Sequence, residues 1–96
     1  MASTKETHGR ILIADDEQPI VDLLTDLLSG EGYDVVGVGS GAVVLEKLQG
    51  EHGFGLLLMD LQMPGVNGLD LIERLRKDSI DIPVILITGH GTSSID

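Results

Sequence analysis

Residues 11–16 have the sequence ILIADD, in which four apolar residues run without a break into two aspartates. An unbroken apolar run is typical of a strand that is buried on both faces. A strand with one solvent-exposed face alternates between apolar and polar residues instead. The same pattern recurs in residues 56–60, LLLMD, and in residues 83–88, PVILIT. The chain therefore contains three apolar segments that are predicted to be strands of one sheet, and each of them ends at a polar residue.

The segments between these runs have the spacing of helices. Apolar residues recur at i, i+3, i+4, i+7 and i+8 over residues 20–28, which predicts a first helix. Its apolar positions are Ile20, Leu23, Leu24, Leu27 and Leu28. A β-branched segment at residues 33–38 predicts another strand, and Ser40 is a suitable N-cap for a weaker second helix. A third helix is predicted over residues 69–77.

The predicted elements alternate in the order βαβαβαβ, and the connections are too long for hairpins. Such an order requires parallel strands with helices on both faces, which is an α/β fold with a doubly wound parallel sheet. Residues 1–9 are polar and lack periodicity, so we expect a flexible leader there. One small domain is then predicted over residues 10–96.

The composition excludes several kinds of function. The 96 residues include 6 Lys and Arg against 16 Asp and Glu, a formal net charge of −10, which argues against direct binding to nucleic acid or to a membrane surface. The chain has no Cys, so disulfides, Cys-ligated zinc and thiol catalysis are excluded. Because no apolar segment approaches the roughly 18 residues of a membrane span, we expect a cytoplasmic location.

Polar side chains follow three of the predicted strands. Ligands of open parallel sheets bind beyond the carboxyl ends of the strands, where Asp15, Asp16, Asp60 and Thr88 are expected. A single aspartate at such a position is commonly a helix cap or a solvated residue. Several carboxylates together repel one another unless a cation lies between them, and an all-oxygen set favours Mg²⁺ over zinc. The sequence therefore predicts a Mg²⁺ site at this edge.

These segments resemble the receiver domain of bacterial two-component response regulators. Residues 11–17 resemble its first strand and acidic pair, residues 58–68 the segment around its phosphoacceptor aspartate, and residues 83–91 its fourth strand and switch threonine. The three motifs stand in the family's order. The resemblance implies a flavodoxin-like sheet with strand order 2-1-3-4.

The resemblance also implies a role for each candidate residue. Asp60 would accept a phosphoryl group from a histidine kinase or a phosphotransfer protein. Asp15 or Asp16, with Asp60, would hold Mg²⁺, and the main-chain carbonyl of Gln62 would complete the ligand set. Thr88 would bond a phosphoryl oxygen and switch an effector or an oligomer interface. Such a protein catalyses only its own phosphorylation and dephosphorylation.

The chain departs from the family pattern in its last part. The family has a fifth strand with a lysine, an aromatic residue and a fifth helix, and no residue of this sequence matches them. We therefore expect a truncated receiver, with the fifth βα unit missing. Residues 84–87 would then form an unprotected apolar sheet edge, through which the chain would self-associate or pair with a complementary fragment.

Two other functions compete with a signalling receiver. The first is a truncated scaffold that binds Mg²⁺ or dimerises without switching. The second is a hydrolase of the aspartate-nucleophile phosphatase type, which is disfavoured because its nucleophile and acid both follow the first strand. The loop at residues 87–91 and the Met-Pro-Gly segment look most like receivers attached to transcriptional regulators.

Overall fold

A computed structural model describes residues 9–50, 52–63 and 66–87 of the chain. Six strands and three helices lie in this part. In chain order they are β1 (Arg10–Ala14), α1 (Gln18–Gly30), β2 (Asp34–Val38), α2 (Gly41–Lys47), β3 (Phe54–Asp60), β4 (Gln62–Met63), β5 (Val66–Asn67), α3 (Gly68–Lys77) and β6 (Val84–Ile87). The alternation predicted from the sequence is therefore confirmed, with β6 as the fourth long strand.

The four long strands form one parallel sheet in the order β2-β1-β3-β6. This order is the predicted 2-1-3-4. The register pairs Ala14 with Val38 on one side and with Met59 on the other, and it pairs Asp60 with Ile87. The carboxyl ends of β1, β3 and β6 consequently meet at one edge of the sheet.

Helices cover both faces of the sheet, as a doubly wound fold requires. On one face, α2 and α3 enclose the larger core. It contains Leu12, Val44, Leu48, Leu57, Met59, Leu71 and Leu75, among others. On the other face, α1 packs against Ile11 and Ile13 through Val21. Leu56 and Leu58 of β3 are only partly buried on this face, because α1 covers β1 and β2.

The first helix lies where the sequence predicts it, but it does not bury all five of the residues that predict it. Leu23 and Leu27 are 55% and 57% exposed, while Val21 is buried. Val21 faces Gly37 of β2, where a Cβ atom at the glycine would overlap Val21 Cγ1. The absence of a side chain at Gly37 therefore allows α1 to approach β2 closely at Val21.

The caps of the two shorter helices come from side chains next to glycines. The Val43 amide donates to Ser40 Oγ at 3.3 Å, which confirms the N-cap predicted for α2. For α3 the cap is Asn67, whose Oδ1 accepts from the Leu69 amide at 2.7 Å. This cap was not predicted from the sequence.

A short antiparallel ladder between β4 and β5 was not predicted. It pairs Gln62 with Asn67 and Met63 with Val66. The ladder brings the start of α3 back to the residue that follows β3. No helix in the described ranges is long and apolar enough to cross a membrane.

Candidate functional site

Three carboxylates converge where β1 and β3 end. Because Ala14 and Met59 are register partners, the residues that follow them, Asp15 and Asp60, lie next to each other at the carboxyl end of the sheet. Asp15, Asp16 and Asp60 each offer an oxygen atom, and these atoms all lie within 4.8 Å of one another. The predicted convergence of the three carboxylates is therefore confirmed.

The cluster is closed on one side and open on the other. Asp15 is 5% exposed, Asp60 is half-buried and Asp16 is exposed. The backbone holds Asp15 in place: its amide donates to the Val38 carbonyl oxygen at 3.1 Å, and its Oδ1 accepts from the Glu17 amide at 2.9 Å. A ligand can therefore approach from the solvent side and meet a carboxylate that is already oriented.

Burial and the neighbouring carboxylates both act on the pKa of Asp15. Burial raises the pKa of the Asp15 carboxyl above its ordinary value of 3.8, and the negative charges of Asp60 and Asp16 raise it further. The hydrogen bond from the Glu17 amide opposes this rise without cancelling it. A bound cation would offset the repulsion from Asp60 and Asp16.

The donor set fits a hard divalent cation. All three side chains supply carboxylate oxygens, neither sulfur nor imidazole belongs to the group, and exposed Asp16 leaves room for water. Mg²⁺ prefers this combination of a few carboxylates with several retained waters. The residues present are therefore compatible with the metal predicted from the sequence.

The two other predicted site residues are Gln62 and Thr88. The backbone of Gln62 lies in β4, two residues after Asp60 and in register with Asn67. Thr88 lies outside the described residues. The residue before it, Ile87, is the register partner of Asp60, and the Ile87 carbonyl oxygen accepts from the Leu61 amide at 3.1 Å.

Sequence reasoning missed three residues that shape the site. Glu17 orients Asp15 because its amide donates to the Asp15 carboxylate. The sequence could have indicated this contact, since an aspartate commonly accepts a hydrogen bond from the amide at i+2. Leu61 and Gly68 form the second contact, a hydrogen bond from the Gly68 amide to the Leu61 carbonyl at 3.1 Å. No local pattern predicts that contact, because it depends on the β4–β5 ladder.

Comparison with known proteins agrees with this fold and this site. The family model of the response regulator receiver domain matches residues 11–95, so the chain belongs to the receiver domain family of response regulators. It is 38% identical over 87 residues to the DNA-binding response regulator MtrA of Mycolicibacterium smegmatis. That alignment covers 91% of this chain and 37% of MtrA, so the chain spans little more than a third of this relative.

Solved structures with the same fold include the response regulator TrrA of Thermotoga maritima in complex with Mg²⁺ and BeF. It superposes with a TM-score of 0.73 at 38% identity, covering 82% of this chain and 68% of TrrA. TrrA in complex with the histidine kinase ThkA matches with the same TM-score and identity, covering 82% of this chain and 67% of TrrA. These likenesses favour a signalling receiver over a scaffold that does not switch.

Proposed function

We propose that Asp60 of this receiver accepts a phosphoryl group, with Mg²⁺ held by Asp15, Asp16, Asp60 and the main-chain carbonyl of Gln62. The observation that carries the proposal is the convergence of three carboxylates, with ligand atoms within 4.8 Å, at the carboxyl ends of parallel strands. Packing does not require this arrangement, because three negative charges at one place cost stability without a cation.

The chemistry is a displacement at phosphorus. A carboxylate oxygen of Asp60 forms the new bond to phosphorus while the bond from phosphorus to the donor breaks, and the product is an aspartyl phosphate. Such transfers depend on positioning and charge neutralisation, and a bound Mg²⁺ supplies the latter. Asp15, fixed by the Glu17 amide, would keep the metal beside Asp60. Attack by water on phosphorus would later return the carboxylate and release phosphate.

The partners follow from the proposed reaction. The donor would be a histidine kinase or a phosphotransfer protein, as the complex of TrrA with a kinase suggests for this chain. No external substrate is turned over, so the protein would catalyse only its own phosphorylation and dephosphorylation.

Thr88 would sense the phosphoryl group and switch an effector. Regulation of transcription by the whole protein fits the relative MtrA. The cytoplasmic location expected from the sequence belongs to this proposal.

A second observation favours association through β6. In the described part of the chain this strand pairs only with β3, and Ile85 and Leu86 are 52% and 37% exposed. An apolar edge strand of this kind recruits another strand. We therefore propose that the chain associates through β6 with a second copy or with a complementary strand.

Intact-mass measurement after incubation with Mg²⁺ and acetyl phosphate tests the phosphoacceptor. We expect one added phosphoryl group in the unaltered chain and none in Asp60→Asn or after chelation of Mg²⁺. The matched control is Asp26→Asn, which removes an exposed carboxylate from α1 and should leave the adduct in place. An adduct on Asp60→Asn, or none on a folded unaltered chain with Mg²⁺, would overturn the proposal.

A further inference from the structure

Glu17 is the N-cap residue of α1, but its side chain does not cap the helix. It accepts no hydrogen bond from the amides of the first turn. Ser, Thr, Asp and Asn are the side chains that commonly reach those amides, and Glu is not among them. The N-caps of α2 and α3, Ser40 and Asn67, follow this preference and make the bond. The needs of the helix therefore do not explain a glutamate at residue 17.

The carboxylate of Glu17 also has no ionic use elsewhere in the described part of the chain. No residue of these ranges binds it through a hydrogen bond or an ion pair, and Glu17 is exposed. The next side chain is used differently, since Gln18 Nε2 donates to Asp22 Oδ1 at 2.9 Å within α1. A glutamate that neither caps its helix nor joins an ion pair contributes mainly its negative charge.

That charge lies beside the carboxylate cluster. The Glu17 amide donates to Asp15 Oδ1 at 2.9 Å, which fixes the backbone of Glu17 against this carboxylate. After burial and the charges of Asp60 and Asp16, the charge of Glu17 also raises the pKa of the Asp15 carboxyl. Glu17 is not one of the three residues whose ligand atoms lie within 4.8 Å of one another. It therefore acts on the cluster electrostatically without belonging to the ligand set.

A negative charge at this place has opposite effects with and without a cation. Without one, it adds to the repulsion among the carboxylates and costs stability. With one, it attracts the ion and offsets the partial positive charge at the start of α1, which repels cations. Because Mg²⁺ keeps several of its waters when it binds, an anionic group beyond the ligands can act on the hydrated ion across a water.

We infer that Glu17 is a positioning residue of the Mg²⁺ site, whose charge holds the hydrated cation over Asp15, Asp16 and Asp60 from outside the ligand set. The glutamate lowers the stability of the metal-free protein and raises the affinity of the cluster for the cation. The inference rests on the cation site of the proposed function and adds a residue to it. It does not depend on phosphoryl transfer, because it concerns binding of the metal alone.

Melting curves by circular dichroism over a series of Mg²⁺ concentrations test this role with two changes at one position. Glu17→Ser removes the charge and introduces a preferred N-cap hydroxyl, whereas Glu17→Asp introduces an N-cap and keeps the charge. Without Mg²⁺ we expect Glu17→Ser to melt a few degrees higher than the unaltered protein. Its dissociation constant for Mg²⁺ should rise about three- to tenfold. Glu17→Asp should stay within about twofold of the unaltered protein.

Glu31→Gln is the matched control, because it removes the same charge from the other end of the same helix. Glu31 is exposed, and the 13 residues of α1 separate it from Glu17. The separation is about 20 Å along the axis, well beyond the screening length of roughly 10 Å at 0.1 M salt. We therefore expect Glu31→Gln to bind Mg²⁺ like the unaltered protein in that salt. An equal loss of affinity in Glu31→Gln and Glu17→Ser would reveal an effect of net charge and would refute the role of Glu17.

The remaining outcomes separate this inference from the proposed function. If Glu17→Ser binds Mg²⁺ as tightly as the unaltered protein, or if Glu17→Asp loses as much affinity as Glu17→Ser, the role of Glu17 fails while the cation site stands. A Glu17→Ser variant that melts lower without Mg²⁺ would show that the glutamate supports the helix, and the inference would again fail. If Mg²⁺ does not stabilise the unaltered chain, the cation site of the proposed function fails, and the role of Glu17 fails with it.

Discussion

The amide of Gly68 donates a hydrogen bond to the carbonyl oxygen of Leu61 at 3.1 Å, and this bond joins the start of α3 to the residue after Asp60. A Cβ atom at Gly68 would lie 3.1 Å from both Cα and the carbonyl oxygen of Leu61. These are backbone atoms, so a side chain at residue 68 can be accommodated only if the segment that follows Asp60 moves.

Gly68→Ala should therefore impair the carboxylate site more than it impairs the fold. We expect the free energy of unfolding to fall by about 1 kcal/mol, and phosphorylation of Asp60 by acetyl phosphate to slow several-fold. Gly39→Ala is the control at the same edge of the sheet, because its nearest non-neighbouring atom, the Asp15 carbonyl oxygen, would be an ordinary 3.9 Å away. Equal phosphorylation rates for the two variants would contradict the positioning role of Gly68.

The contact between Gly37 and Val21 should be essential for packing α1. Gly37→Ala places a methyl group where Val21 Cγ1 lies, and Val21 is buried. We expect a loss of about 1 to 3 kcal/mol in urea unfolding, as overpacking typically costs. Gly55→Ala is the matched strand variant, since its new Cβ atom would lie 3.9 Å from the Arg10 carbonyl oxygen. A loss as large in Gly55→Ala would refute the steric explanation.

The stability of the metal-free protein should depend on the ionisation of Asp15. The pKa of this carboxyl is raised in the folded state, chiefly by burial, so the folded protein binds the proton more tightly than the unfolded chain does. The resulting stabilisation is fully present below the ordinary pKa of 3.8 and is lost as the pH rises through the folded pKa. Between these two values, thermal unfolding without Mg²⁺ should show this contribution decreasing as the pH rises.

Asp15→Asn should remove that dependence, because the amide keeps an oxygen acceptor for the Glu17 amide and carries no charge. We expect this variant to be more stable than the unaltered protein at neutral pH without Mg²⁺ and to gain less stability when Mg²⁺ is added. The comparison is a pair of melting curves with and without the metal. A variant that is destabilised and still stabilised fully by Mg²⁺ would contradict the role assigned to Asp15.

Ser79 should be a position where glycine stabilises the protein. Its φ angle of 60° lies in the left-handed region, just after α3, where the Ile80 amide closes the helix by donating to the Leu75 carbonyl at 2.8 Å. Glycine has no steric cost in this conformation, so Ser79→Gly should raise the free energy of unfolding by about 0.5 to 1 kcal/mol.

A serine with ordinary helical geometry provides the control for that change. Ser29 lies in the last turn of α1, and Ser29→Gly should lower the free energy of unfolding by about 0.5 kcal/mol. Urea unfolding of the two variants gives the comparison. If both changes destabilise the protein, the left-handed conformation of Ser79 is not a source of strain.

The sheet could be predicted from the sequence because buried parallel strands leave a strong local signal. The runs at residues 11–14 and 56–59 are apolar without interruption, and each stops at an aspartate of the cluster. The order of the strands followed from the family resemblance, and the convergence of Asp15 with Asp60 followed from their positions at the carboxyl ends of parallel strands. These features depend on hydrophobic patterning along the chain and on motif spacing, which a sequence displays directly.

The details that the sequence did not predict depend on contacts between distant segments. Leu23 and Leu27 of α1 are exposed although they belong to its apolar stripe, whereas Val21 packs at Gly37, which lies in a different element. The β4–β5 ladder consists of two residues on each side, too few to produce a recognisable alternation. Helical spacing identifies an apolar stripe, but it does not show which residues of the stripe will pack against a neighbouring strand.

The position of β1 between β2 and β3 also orders events during folding. β1 precedes both of its partners in the chain, and β3 reaches it only after two helices and a strand have intervened. Strands that are far apart in the sequence pair slowly, because the entropy of closing a long loop is lost before the stabilising contacts form. Asp15 and Asp16 cannot meet Asp60 until this closure is complete. A nascent chain would consequently complete its cluster of three carboxylates at a late step, when β1 pairs with β3.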